Sequence, residues 1–227
     1  MRRAALALVL LCSASAVQAA RADEPESLLR QPIDGIAAVV GGHALGPATI
    51  MLLQSSVELR ARLALLNGGT LALALGELPR GVLSASLAEL LGEALIALEA
   101  RRLNLDPPDA EARARERQRL LEAAGPEAAQ LLRALGVTER ELSVWAERRA
   151  VVSGFLAANL EGTLDVSNME LERLFRSEPH PYQGEPFEEA RTRFGEWLGR
   201  ERMQAAVRRW VDTLAQRTPH RVVTSYR

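Results

Sequence analysis

The sequence predicts a mainly helical protein with one small β-sheet, and three observations carry that reading. Apolar residues recur at three- and four-residue spacing across residues 82–103 (Leu83, Leu87, Leu90, Leu91, Ala94, Leu95, Leu98), which makes one long helix face. Ala and Leu dominate a chain that is 48% hydrophobic and 4% aromatic, while Gly and Pro fall mostly between the periodic segments. The short β-branched runs lie at 36–40 and 221–226, so the two ends of the chain are expected to meet in one sheet.

The 82–103 helix organises the rest. Its opposite face carries Glu93, Glu99 and Arg102, and Asp106-Pro107-Pro108 stops it because proline cannot donate a backbone hydrogen bond. At 227 residues the chain can bury one good core, or one core with an arm. All 28 basic residues are arginine, so every salt bridge uses guanidinium geometry.

Residues 1–22 read as a secretory signal. Arg2 and Arg3 precede a continuous apolar run at 4–11, and small residues follow up to Val17-Gln18-Ala19 or Ala20-Arg21-Ala22, the second preferred because Asp23-Glu24-Pro25 begins an acidic terminus. An apolar core of about eight residues is far shorter than the roughly 20 a spanning helix needs, so no membrane span is expected. Cys12 lies inside this segment, and a chain starting at Asp23 has neither disulfides nor thiol chemistry. Removal of 1–22 takes three arginines and no acid, moving the formal charge from −1 to −4, which weighs against nucleic acid. Export with cleavage of this segment is expected.

In the remaining chain, 36–40 should be a strand. Gly41-Gly42 supplies a tight turn, and His43-Ala44-Leu45 returns antiparallel. Gly46-Pro47 then starts a helix over 47–66 with apolar residues on two sides, Ile50, Leu53 and Val57 on one and Leu52, Leu59, Leu63 and Leu66 on the other. Such a helix is either sandwiched or partly exposed for binding. The leucine-rich 70–81 connection has no clear assignment. A charged helix over 109–124 alternates Arg113, Arg115, Arg117 and Arg119 with Glu111 and Glu116, the pattern of a solvated face. After a short helix ending at Gly136, Thr138 with Glu141 and Ser167 with Glu170 open two more helices. Leu142, Trp145, Val152, Phe155 and Leu156 on the first of these read as core. Pro179, Pro181 and Gly184 exclude a helix there, and Pro186 opens the longest helix, bearing Phe187, Phe194, Trp197 and Trp210.

This order of elements resembles SurA-type periplasmic chaperones. The hairpin Asp34-Gly35-Ile36-Ala37-Ala38-Val39-Val40-Gly41-Gly42-His43-Ala44-Leu45, the helix after it and the 87–105 helix are similar to the N-terminal domain of that family. Thr163-Leu164-Asp165-Val166-Ser167 and the 170–175 helix are similar to the segment leading out of it. Phe187-Glu188-Glu189-Ala190, with its long helix and last strand, looks like the C-terminal return. The resemblance implies a core over 32–176, a linker over 177–185 and a return helix and strand over 186–226. The parvulin-type prolyl isomerase domains that the family inserts before the return are missing, and so are their glycine-rich and histidine-bearing motifs. The isomerase activity is therefore not carried over.

A search for catalytic chemistry agrees with that departure. His43, His180 and His220 lack the paired spacing of a helical zinc site, and no phosphate-cradling glycine loop or Gly-x-Ser-x-Gly elbow is present. No Asp or Glu pair stands in an apolar setting that would shift its pKa. The expectation is a periplasmic holding chaperone or assembly factor without catalysis or cofactor, binding unfolded or partly folded exported polypeptides such as outer-membrane proteins. Candidate client contacts are Leu52, Leu59, Met169, Phe175, Tyr182, Phe194 and Trp197, each of which is equally suited to a buried core. The alternatives are a dedicated interaction subunit of an envelope complex, a homodimer built on a flat apolar patch, or a residual member of the isomerase family. A contiguous exposed groove favours the chaperone, and a flat patch favours the fixed partner.

Overall fold

The computed structural model describes residues 34–42, 49–160 and 166–226. Among them are three strands and eight helices: β1 (Ile36–Gly41), β2 (Thr49–Leu53), α1 (Gln54–Asn67), α2 (Leu71–Leu75), α3 (Arg80–Arg102), α4 (Ala110–Glu122), α5 (Ala128–Ala134), α6 (Glu139–Leu160), α7 (Asn168–Ser177), α8 (Phe187–Arg217) and β3 (His220–Val222). The fold is mainly α with a three-stranded antiparallel sheet in the order β2-β1-β3, so the two ends of the described chain do meet at β1.

The hairpin differs from the sequence expectation. The mate of β1 is Thr49–Leu53, with Val39 opposite Met51 and Val40 opposite Ile50, and the expected return at His43-Ala44-Leu45 lies outside the described residues. The helix expected from Pro47 starts at Gln54 instead. The apolar residues on two sides of 50–53 are a strand alternation: Leu52 points into the core at 1% exposure, while Met51 and Leu53 point out. The final strand is shorter than 221–226 because the N–H groups of Val223 and Thr224 both donate to Ala37 O, at 2.8 and 3.1 Å, which ends the regular ladder.

Three apolar clusters hold the helices. One joins α1, α2, α4, α5 and the start of α6 through Leu63, Leu66, Leu120, Leu131, Leu132 and Trp145. The second packs α3 between the sheet, α6 and α8 through Leu52, Leu90, Leu95, Ile96, Phe155 and Leu214. Val57 belongs to the second and Leu59, Leu63 and Leu66 to the first, so α1 is the sandwiched helix its two apolar sides require. Close approach of α8 to α3 depends on Gly92, where a Cβ would sit 3.2 Å from Val211 Cγ2. By length and composition α3 could cross a membrane, yet here it is the central core helix. The third cluster is separate and ties α7 to the first half of α8 through Leu171, Leu174, Phe194 and Leu198.

Caps form where side chains can satisfy the open N–H groups. Thr138 Oγ1 accepts from Glu141 N at 3.3 Å while Glu141 Oε2 accepts from Thr138 N at 2.7 Å. Ser167 Oγ accepts from Glu170 N at 3.2 Å, and Thr70 does the same for α2, the helix unassigned in the 70–81 stretch.

Two carboxylates expected at the surface are buried. Glu99, placed by periodicity on the outer face of its helix, is 6% exposed because the end of α8 covers it. Its oxygens accept from Arg102 Nε and Nη2 at 2.7 and 2.9 Å and from Arg217 Nη2. The Arg102 hydrogen bond, helped by Arg217 and opposed by burial, holds the Glu99 carboxyl below its ordinary range. Glu116 on the charged helix α4 turns inward to Arg119, Ser153 and Arg149. Glu93, half-buried on α3, accepts from Arg149 at 3.2 Å and lies 3.5 Å from Arg60, whose other partner is Glu89 at 2.7 Å. Guanidinium groups thus pin α1, α3, α4 and α6 together beneath the surface.

Candidate binding groove

A groove of about 1040 Å³ opens where the first two clusters part. Leu59 and Trp145 of one cluster and Ala100 and Phe155 of the other contribute to its lining. Strand β2 supplies Ile50, Met51 and Leu53; because Ile50 and Met51 point to opposite faces of the sheet, the groove wraps the outer edge of that strand. The last turn of α3 and the 105–109 segment form another wall, and the two prolines that stop α3 are part of it.

Helix α6 forms the longest side. Glu141, Val144, Trp145, Arg148, Val151 and Phe155 line it at helical spacing, within a lining stretch from Arg140 to Ala158. At 1.5 Å per residue that stretch is about 27 Å long, room for about eight residues of extended chain. The apolar surface left open is substantial: Val144 is 56% exposed, Met51 47%, Leu105 40% and Leu53 36%.

The charged residues of the lining divide into engaged and free groups. Arg62 donates to the carbonyls of Ala74 and Gly76 at 2.8 and 3.0 Å. Asp109 caps α4, accepting from Ala112 N at 2.6 Å, and Glu141 is held in its capping box. Among the described residues, the side chains of Arg101, Arg140, Arg148, Asp106 and Glu147 make no hydrogen bond or ion pair. Burial pushes the Arg148 guanidinium below its ordinary range; Glu93 opposes that shift, and Arg60 and Arg101 add to it.

Of the seven residues expected to touch a client, the groove contains Leu59 alone. Leu52 and Phe194 are 1% and 0% exposed and have no surface to offer. Phe175, Tyr182, Phe194 and Trp197 do come together, but as a packed aromatic cluster around His180. Ring centroids of Phe175 and Phe194 lie 5.1 Å apart, those of Phe194 and Trp197 5.7 Å, and His180 sits 4.3 Å from Phe175. Tyr182 N donates to His180 Nδ1 at 3.1 Å, so Nε2 carries the proton and donates to Phe175 O at 2.8 Å. Met169 stands apart on α7 at 81% exposure.

No family model, curated protein or solved structure matches this chain. Among the described residues no cluster of His, Cys, Asp and Glu could hold a metal ion. The two carboxylates buried among the described residues, Glu99 and Glu116, are paired with arginines. The arginines of α4 are likewise engaged, Arg115 with Glu111, Arg117 with Glu139 and Arg119 with Glu116.

Sequence reasoning missed Met51, Leu53, Leu105, Val144 and Arg148 as groove residues. Val144 carried a signal: on α6 it lies one position before the buried Trp145, off the face that packs into the core, and an apolar residue there has no core partner.

Proposed function

We propose that this chain is a non-catalytic holding chaperone of the bacterial envelope, shielding apolar segments of exported polypeptides, outer-membrane proteins foremost, until they fold. The observation that supports the reading is the groove with its open Met51, Leu53, Leu105 and Val144. Its volume is at the upper limit of the range typical of small-molecule pockets, and its length suits a run of polypeptide better than a compact metabolite. Methionine and leucine at the rim can adapt to different side chains, which gives sequence-tolerant binding. Weak affinity follows from the same features, and clients leave without a nucleotide-driven step. A dedicated partner subunit would call for a flat, well-rimmed patch, and the groove favours the chaperone over it.

The test is light scattering of a denatured outer-membrane barrel protein diluted into buffer with the full chain present. Suppression of aggregation near equal molar ratio is expected, and Val144→Asp, at an exposed position, should abolish it while leaving the circular dichroism spectrum unchanged. Absence of suppression at several-fold excess of the wild-type chain would overturn the reading.

A further inference from the structure

Arg148 makes no ion pair or side-chain hydrogen bond among the described residues. It is half-buried on α6 and lines the groove, and Glu93, whose charge acts on it without forming an ion pair, is already shared by Arg60 and Arg149. The comparably buried arginines nearby are paired: Arg60 with Glu89 and Glu93, Arg149 with Glu93 and Glu116. Arg101, also free of any acid, faces the same groove from α3. The two free acids of the lining, Asp106 and Glu147, are exposed, and neither has joined these guanidinium groups in an ion pair. A half-buried cation that no protein carboxylate neutralises costs desolvation energy, and an incoming carboxylate would recover it through charge-assisted hydrogen bonds.

Position along the groove identifies the kind of carboxylate. Arg148 lies near the middle of the 140–158 stretch, with about 12 Å of α6 lining on one side and about 15 Å on the other. Apolar lining residues occur on both sides, Val144 and Trp145 before it and Val151 and Phe155 after it. A chain end bound at Arg148 would leave half of that apolar surface uncovered.

We infer that the groove selects extended polypeptide segments carrying one acidic side chain with apolar residues on both sides, and that Arg148, with Arg101 beside it, receives that side chain. The inference rests on the holding function proposed above and specifies which client segments the groove prefers. It also gives binding a salt dependence that a purely apolar groove would lack.

The test is fluorescence anisotropy with nine-residue labelled peptides, blocked at both ends, apolar on either side of a central Glu or a central Gln. A third peptide is apolar throughout and has a free C-terminal carboxylate. The full chain should bind the Glu peptide about tenfold more tightly than the Gln peptide, the order expected for a hydrogen bond to a charged group. Arg148→Gln should remove that preference, bringing the Glu peptide's affinity down to that of the Gln peptide, without lowering the melting temperature. Equal binding of the Glu and Gln peptides by the wild-type chain, with both lost in Val144→Asp, would overturn this inference and leave the holding function standing. Tightest binding of the free-carboxylate peptide would overturn it in favour of chain ends. Failure of all three peptides to bind would overturn the holding groove as well.

Discussion

Phe194→Ala should separate the α7–α8 cluster from the rest of the molecule. Phe194 is fully buried, with Phe175, His180 and Trp197 within 5.7 Å between ring centroids. Truncating a buried phenylalanine costs about 3–5 kcal/mol through lost transfer energy and the cavity left behind. The three ring contacts place this site at the upper end. The cluster holding Phe194 shares no residue with the other two, one of which holds α3 and both of which include α6, so the loss should stay local. Hydrogen exchange read by mass spectrometry should show α7 and the first half of α8 losing protection, while α3 and α6 keep theirs and the groove keeps its peptide affinity. Trp197→Ala, at a partly exposed ring, should do the same more weakly, at about 1–2 kcal/mol. A uniform loss of protection across α3 and α6, or a fall in groove affinity with the fold intact, would refute this division of labour.

Glu99→Gln should reduce stability by about 1–2 kcal/mol at pH 7, since a buried carboxylate loses its charge while its two arginine partners stay half in solvent. Because the folded protein holds this carboxyl below its unfolded value, its contribution is present above about pH 5 and disappears as pH falls through the lowered value. The gap between wild type and variant, measured by urea denaturation, should therefore shrink toward pH 3. Gly92→Leu should push α8 off α3, costing about 1–3 kcal/mol or more in thermal denaturation, because even a Cβ meets Val211 at 3.2 Å.

The helices were largely legible in the sequence because their signals are local. The leucine stripe of α3, the caps at Thr138 and Ser167 and the proline at 186 act within a few residues, and the structure places helices at each. The β2 strand was not legible as a strand: Ile50 to Leu53 alternate over too few residues to be told from a helix start, and pairing with β1 decides the matter. Burial of Glu99 and Glu116 was also hidden, since it depends on α8, in one case, and α6, in the other, covering faces that periodicity alone marks as outer. The candidate site was the least legible part. Aromatic residues drew attention to α8, where they pack against one another around His180, while the open surface belongs to Met51 and Leu53 on β2, Leu105 after α3 and Val144 on α6. A groove formed by the parting of two clusters has no signature along any one of them.

The central claim is that the α6 groove, and not the aromatic cluster of α7 and α8, receives unfolded polypeptide. It is tested most directly by photo-cross-linking to a denatured barrel protein from two exposed positions, with a photoreactive phenylalanine in place of Val144 in one variant and of Met169 in the other. The account predicts a strong client adduct from position 144 and little from position 169. Adducts from 169 alone, or from neither position while the protein still suppresses aggregation, would contradict it.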